Sequence, residues 1–459
     1  MGSSLARLTT QVDSVPNHQV YGRVSSVLGM LVEVSGINKL LSIGSECSIQ
    51  TNSGKAVKCE VVGFNSTNAK VLPFGGLEGI GPGNTVELGN SSPSIFPDMS
   101  WLGRVVNAFG EPIDGKGPLT QGTKPYPFRN SPPPPNERNR VGEKIDLGVR
   151  GMNTFVTTCK GQRLGIFSGS GVGKSILLSM MAKNTAADVS VVGLIGERGR
   201  EAKEFIEDDL GTEGMETSIL VLATSDEPPL VRRQAAYLTM ALSEFFRDNN
   251  KDVLCLMDSV TRFAMAQREI SLSAGEPPAT RGYTPNVFSE LPKLLERAGP
   301  GREGQGSITG LFTVLVEGDD LNEPISDSVR GILDGHAVLD RNISERGRFP
   351  AINILKSISR TMPECNTSEQ NIIVNKARKL ISTYEDMAEL IRLGAYKSGS
   401  DPYVDEAITY YQAIENFLSQ SKMENTSLEV CYRQLAEILN LEYGTNINGK
   451  ETEFPSEVV

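Results

Sequence analysis

Histidine is nearly missing from this chain: His18 and His336 are the only two in 459 residues. That scarcity excludes a histidine-built zinc site and a hydrolytic triad with an imidazole base, and it leaves carboxylates, lysines and arginines to carry the chemistry. Six cysteines (Cys47, Cys59, Cys159, Cys255, Cys365 and Cys431) are scattered without a C-x-x-C pair. They read as small core residues in a reducing compartment, and Mg²⁺ is the only metal expected. There is no excess of basic charge. The formal net charge of −11 removes the electrostatic footprint that nucleic acid requires, so an RNA or DNA translocase is disfavoured. Nor is there an apolar run of membrane-spanning length or, at Met1 to Leu8, the sustained apolar core of a signal peptide; a cytoplasmic protein is expected. The single tryptophan, Trp101, reads as a packing residue.

What the chain does hold begins after a short apolar run at Leu164, Ile166 and Phe167. The sequence Ser168-Gly169-Ser170-Gly171-Val172-Gly173-Lys174-Ser175 then leads into Ile176-Leu177-Leu178. Strand, glycine loop and helix in that order make a P-loop. The glycines let backbone N–H groups turn inward around a polyphosphate, and the helix start adds partial positive charge. Lys174 supplies a full charge at the β- and γ-phosphates, and the Ser175 hydroxyl is placed to be a Mg²⁺ ligand. The ligand implied is a nucleoside triphosphate. One departure from G-x-x-x-x-G-K-[ST] is visible, because Ser168 stands where the first glycine belongs; a small residue is expected to fit there.

Length allows two or three domains. Residues 1–19 form an N-terminal segment in which Leu5, Leu8 and Val12 share one helical face, read either as a docking helix or as a frayed end. Short period-2 runs over 20–90 predict a small antiparallel β-barrel without recognisable chemistry. Residues 91–148 are loop-rich, with Pro132 to Pro135 as a stiff extended spacer. Over 149–366, apolar runs at 164–167, 189–195, 219–223, 253–257, 308–316 and 351–355 alternate with helical stretches, the pattern of a parallel sheet buried on both faces. From 367 to 443 the pattern is helical, with segments at 370–384, 386–393, 403–421 and 427–441. The polar residues 444–459 are expected to be a disordered tail.

Two carboxylates are placed for chemistry. Asp258 ends the apolar run 253–257, where a carboxylate holds a Mg²⁺-bound water opposite a P-loop; outside that context it would read as a helix N-cap. Glu197 follows the run 189–195 at the carboxyl edge of the sheet. It reads equally as the group that orients an attacking water and as a complement to the dipole of a helix starting near Arg200.

Taken with Gly196-Glu197-Arg198, Asp226-Glu227-Pro228-Pro229 and the stretch from Pro350 to Arg360, this spacing resembles the rotary ATPase superfamily over nearly the whole chain. Within it, Gly169 to Ser175, Val316-Glu317-Gly318-Asp319-Asp320, Ile332-Leu333-Asp334-Gly335-His336 and Leu393-Gly394-Ala395-Tyr396 resemble the flagellar export ATPases of the type III secretion branch more than the catalytic subunit of ATP synthase. The resemblance implies a RecA-like nucleotide domain between the barrel and the helical domain, and a homohexameric Mg²⁺-dependent ATPase that energises flagellar protein export. Gly169, Ser170, Gly171, Val172, Gly173, Lys174, Ser175 and Ile176 would hold ATP, with Phe349 and Pro350 against adenine. Ser175 and, through water, Asp258 would hold Mg²⁺. Glu197 would activate water, supported by Arg198, and Arg360 would be the arginine finger reaching a neighbouring site. The partners implied are a regulator, a stalk protein, the export gate and substrate–chaperone complexes, with no nucleic acid, at the cytoplasmic face of the inner membrane. A virulence-type secretion ATPase and a catalytic subunit of ATP synthase are the alternatives, and a non-catalytic nucleotide-binding subunit is a third.

Overall fold

The structure, a computed structural model, describes residues 20–444. The expectations for the segment 1–19 and for the tail beyond Gly444 lie outside the described residues.

Alternating side chains build the first unit. Strands Tyr21–Leu28, Leu31–Ser35, Glu46–Gln50, Ala56–Phe64, Ala69–Pro73 and Thr85–Leu88 close into an antiparallel barrel, the first strand pairing with both the second and the last. Val32, Val34, Ile49, Val61 and Val71 fill its interior. The connector that follows is more than a spacer. Trp101 is buried and donates its indole N–H to the Thr120 carbonyl at 2.6 Å, and Val105–Val106 becomes the edge strand of the next sheet.

That sheet has nine strands. Its main path runs Ile352–Ser359, Gly335–Leu339, Arg163–Ser168, Ser307–Leu315, Val253–Asp258, Val189–Glu197, Ser218–Thr224 and Val105–Val106. Pairing along this path is parallel except between Gly335–Leu339 and Ile352–Ser359. Side chains alternate between two cores: Val191, Ile195, Cys255 and Met257 pack toward helices Pro229–Asp248 and Val260–Ala274, while Val192, Leu194, Leu254 and Leu256 pack toward Lys174–Asn184 and the C-terminal helices. Burial of both faces is why these strands read as unbroken apolar runs. The strand Gly335–Leu339 was not anticipated, being short and opened by glycine and histidine.

Three helices, Ser368–Arg392, Pro402–Leu418 and Leu428–Ile438, close the described chain. The first corrects an expected break near 385. Thr367 and Gln370 form a capping box at its start, no glycine or proline interrupts it, and Gly394 in the left-handed region follows its end. No described helix is long and apolar enough to cross a membrane.

Candidate active site

The parallel strands deliver their carboxyl ends to one edge, and the P-loop strand Arg163–Ser168 lies inside the sheet between Ser307–Leu315 and Gly335–Leu339. Beyond it, Gly171 (φ 78°) and Gly173 (φ 89°) occupy conformations that favour glycine. Gly169 is required for space instead: a Cβ there would strike the Asp319 carboxylate and the Arg341 guanidinium. Arg341 braces the loop from behind, donating to the Ser170 carbonyl at 3.1 Å while pairing with Asp319 at 3.2 Å. Ser168 still belongs to the strand, so the glycine of the usual motif is not needed for backbone reasons. Its buried hydroxyl has no hydrogen-bond partner among the described residues.

Helix Lys174–Asn184 starts at Gly173 without a side-chain cap. Its first-turn N–H groups therefore face the loop. Lys174, on that turn, reaches across to Asp258 Oδ1 at 2.5 Å and lies 3.6 Å from Glu197 Oε1. Thr313 donates its hydroxyl to the same Asp258 oxygen at 2.7 Å, fixing the carboxylate from the neighbouring strand. Burial works against the Lys174 ammonium, but Asp258 and then Glu197 outweigh it, so its pKa is raised and the charge is secure. Glu197 moves the other way from an ordinary carboxyl. Burial first, and the Asp258 charge second, push it up to about 7 despite the nearby Lys174. A carboxyl poised there can exchange a proton near neutral pH.

The remaining sequence-predicted residues are spread more widely. Arg198 does not join the cluster; its side chain is 81% exposed and pairs with Glu201 at 3.4 Å. Ser175 and Ile176 are exposed on the first helical turn, and Val172 is buried. Phe349 is exposed beside the loop, its ring 3.3 Å from where a Cβ on Gly173 would stand, while Pro350 is buried. Arg360, by contrast, is at the far edge of the sheet. Ser359 is level with Gly335, and His336 is level with Gly165 of the P-loop strand, so Arg360 stands about five strand residues, roughly 15 Å, from the glycine loop.

The site's chemistry is that of a polyphosphate cradle: turned backbone N–H groups, an uncapped helix start, a buried ammonium and hard oxygen donors. Ser175 and Asp258 suit a hydrated Mg²⁺, which prefers such oxygens and keeps several waters. Sequence reasoning missed Thr313, although a threonine inside the apolar run 308–316 was a signal. It also missed Arg341, which no spacing singles out, and Arg262, which packs against Gly196 with a buried Nε that lacks a partner among the described residues. His336 packs edge-on against Phe167 at 5.6 Å and burial lowers its pKa, as befits a structural side chain.

Comparison with known proteins agrees with this geometry. Residues 148–359 match the nucleotide-binding domain of the ATP synthase alpha/beta family, residues 24–88 its beta-barrel domain, and residues 366–437 the T3SS EscN ATPase C-terminal domain. The Flagellum-specific ATP synthase of Caulobacter vibrioides is 59% identical over 441 residues, covering 95% of this chain and 99% of that one. The Flagellum-specific ATP synthase of Bacillus subtilis is 50% identical over 420 residues, covering 91% and 95%. Among solved structures, the assembled ATPase EscN of enteropathogenic E. coli superposes with a TM-score of 0.85 at 39% identity, covering 91% of this chain and all of that one. EscN in complex with its central stalk EscO gives a TM-score of 0.82 at 38% identity, with the same coverage.

Proposed function

Since this chain belongs to the ATP synthase alpha/beta family, in the branch that carries the type III secretion C-terminal domain, we propose that it works as the ATPase of flagellar protein export, assembled as a homohexameric ring. The observation that carries the chemistry is the convergence of Lys174, Asp258 and Glu197, three residues from separate elements, at the mouth of the glycine loop. The names of the relatives at 59% and 50% identity favour the flagellar role over a virulence-type one. The EscN-type C-terminal domain weighs against a catalytic subunit of ATP synthase.

In this reading the loop N–H groups and Lys174 grip the β- and γ-phosphates. Mg²⁺ brought with ATP would neutralise charge between those phosphates, held by the Ser175 hydroxyl and, through water, by Asp258. Glu197, half ionised near neutral pH, accepts a proton from the attacking water, and Arg198 supports that site from its rim. Phe349 and Pro350 face the adenine. Arg360, too far from its own loop, completes the site of the next subunit. The C-terminal helices line a central opening for a stalk protein, as EscO is the stalk of EscN. A regulator binds the N-terminal segment, and export-gate proteins and substrate–chaperone complexes engage the ring at the cytoplasmic face of the inner membrane.

The test is Mg²⁺-dependent phosphate release by the purified protein, joined to mass spectrometry of what accompanies the tagged protein from its own cells. Phosphate release lost in Lys174→Ala, with flagellar regulator, stalk and gate proteins recovered, is expected. Recovery of injectisome components would replace the flagellar assignment, and the absence of release at ring-forming concentrations would end the ATPase reading.

A further inference from the structure

We propose that Cys159 and Cys365 form a dithiol that hydroperoxides convert to a disulfide, cross-linking the base of the P-loop strand to the turn that carries Arg360. The fold makes neighbours of two cysteines far apart in sequence. Cys159 is 1% exposed in the turn before the P-loop strand, where its N–H donates to Gln162 Oε1 at 2.9 Å. Cys365 is half-buried between strand Ile352–Ser359 and helix Ser368–Arg392, with its N–H on the Thr361 carbonyl at 2.9 Å. Thr361 ties the two together: its hydroxyl donates at 3.1 Å to the same Gln162 Oε1 that accepts the Cys159 N–H, and its carbonyl accepts the Cys365 N–H, which brings the two thiols within electrostatic reach of each other. Lys144, opposite Cys159 across an antiparallel bridge, sets an ammonium beside both sulfurs. Its Nζ is anchored on Gln370 Oε1 at 2.5 Å and stands over the Tyr432 ring.

The two thiols differ in the way a reactive pair requires. The hydrogen bond from Cys159 first, then Thr361 and Lys144, favour the Cys365 thiolate against the effect of burial. Cys159 is pushed up by sharing its proton with Cys365 and by burial. Cys365, half-buried where Cys159 is 1% exposed, is the sulfur a peroxide can reach and therefore the attacking one, and Cys159 is the resolving one. The Cys365 thiolate attacks a peroxide oxygen, the O–O bond breaks, and a sulfenic acid forms as hydroxide leaves and takes up the thiol proton as water. The Cys159 sulfur then attacks the Cys365 sulfur; the S–S bond forms, the S–O bond breaks, and the Cys159 proton departs with the hydroxyl as a second water. Two thiols and one hydrogen peroxide give one disulfide and two waters. Cytosolic disulfides of this kind are transient and sensing rather than structural. Cys47 and Cys59 make an internal contrast: they are opposite each other in the barrel, yet both are fully buried and Cys59 is pushed far up by its hydrogen bond with Cys47 and by burial.

The consequence follows from what surrounds Arg360. Ser359 donates to the Thr157 carbonyl at 2.7 Å and Thr361 to Gln162 Oε1 at 3.1 Å, so the residues on either side of Arg360 are already docked in the nook that the disulfide would close. A covalent link there holds the Arg360 turn in one position. Its effect on turnover rests on the ring reading above; the disulfide itself does not.

The experiment pulses the reduced full-length protein with hydrogen peroxide, quenches with N-ethylmaleimide and maps peptides without reduction. The Cys159–Cys365 peptide should appear before exposed Met423 becomes sulfoxide, with Cys47 and Cys59 still reduced, and dithiothreitol should remove it. Lys144→Met should slow its formation severalfold. Phosphate release should fall severalfold on oxidation, recover with dithiothreitol, and show no reversible loss in Cys159→Ser. Free thiols at a dose that oxidises Met423, or Cys365 over-oxidised without a cross-link, would overturn the proposal. A cross-link with unchanged turnover would overturn its coupling to Arg360. No phosphate release before oxidation would sink the ATPase reading instead and leave the dithiol result standing.

Discussion

Glu197 is the residue whose environment makes the sharpest demand on the chemistry. Burial and the Asp258 charge raise its pKa from 4.5 to about 7, and a water-activating carboxyl must be ionised to work. The value of kcat/KM should therefore fall about tenfold per pH unit below about 7. Glu197→Gln should remove that limb and lower turnover by about 10²-fold or more at pH 8, while nucleotide binding is kept. The same shift touches stability. Because the folded pKa lies above the unfolded one, the native state binds the extra proton between 4.5 and about 7, and this group's stabilising contribution is lost as pH rises through that window. Glu197→Gln should consequently unfold at a higher temperature than the wild type at pH 8. An inactive variant that also melts lower would mean that Glu197 is structural. From sequence, Glu197 was balanced between water activation and complementing a helix dipole. The fold shows why: helix Gly199–Glu204 carries Glu201 in its first turn, whereas Glu197 ends the strand and faces Lys174. The meeting of Lys174 with Asp258 depends on two strands and a helix coming together, which no local pattern encodes.

At the scale of elements, the P-loop conformation itself can be tested. Gly173 combines a left-handed φ of 89° with a ring 3.3 Å from the place of a Cβ. Gly173→Ala should then distort the loop by about 1–2 kcal/mol or more and weaken nucleotide binding at least about tenfold, with the melting temperature nearly unchanged. Titration with a fluorescent nucleotide checks this, and unchanged affinity would mean that the loop relaxes freely. Helix Ser368–Arg392 makes a second case. Thr367→Ala removes a capping box contributing about 1 kcal/mol, so amides of the first turn should exchange with solvent about fivefold faster while the last turns are unaffected. The apolar runs that predicted the sheet were legible because burial on both faces leaves no polar register. The strand Gly335–Leu339 was not, because five residues with Gly335 and His336 at their head carry too little pattern. Val105–Val106 was hidden for the same reason: two residues form a strand only when a neighbour's free edge accepts them. The long helix runs unbroken past the expected division near residue 385, where Glu385 and Asp386 are exposed and leave the backbone uninterrupted.

For the whole molecule, the decisive feature is that the two halves of the proposed site lie at opposite edges of one sheet. Lys174, Glu197 and Asp258 gather at the carboxyl edge. Arg360 follows the strand that runs antiparallel to its neighbour, which carries it to the other edge, roughly 15 Å away and beyond the reach of an arginine side chain. A chain folded this way cannot bring its own Arg360 to its own phosphates. In a ring of identical copies related by rotation, each subunit can offer its Arg360 edge to the next subunit's loop edge, so every interface gains a complete set. A finger supplied in trans contributes about 10³-fold or more to phosphoryl-transfer rates, and the isolated subunit should be a poor ATPase whose specific activity rises with protein concentration. Lys174→Ala destroys the loop half and Arg360→Ala the finger half, so each ring alone should be inactive. When the two proteins are mixed equally and exchange at random, about one interface in four joins an intact loop to an intact finger, and activity should return to about a quarter of the wild-type value if sites act independently. Fluorescence transfer between labelled subunits establishes that exchange has occurred. Exchange without any return of phosphate release would mean that Arg360 completes no site in the ring, and the shared-site ring would have to be abandoned.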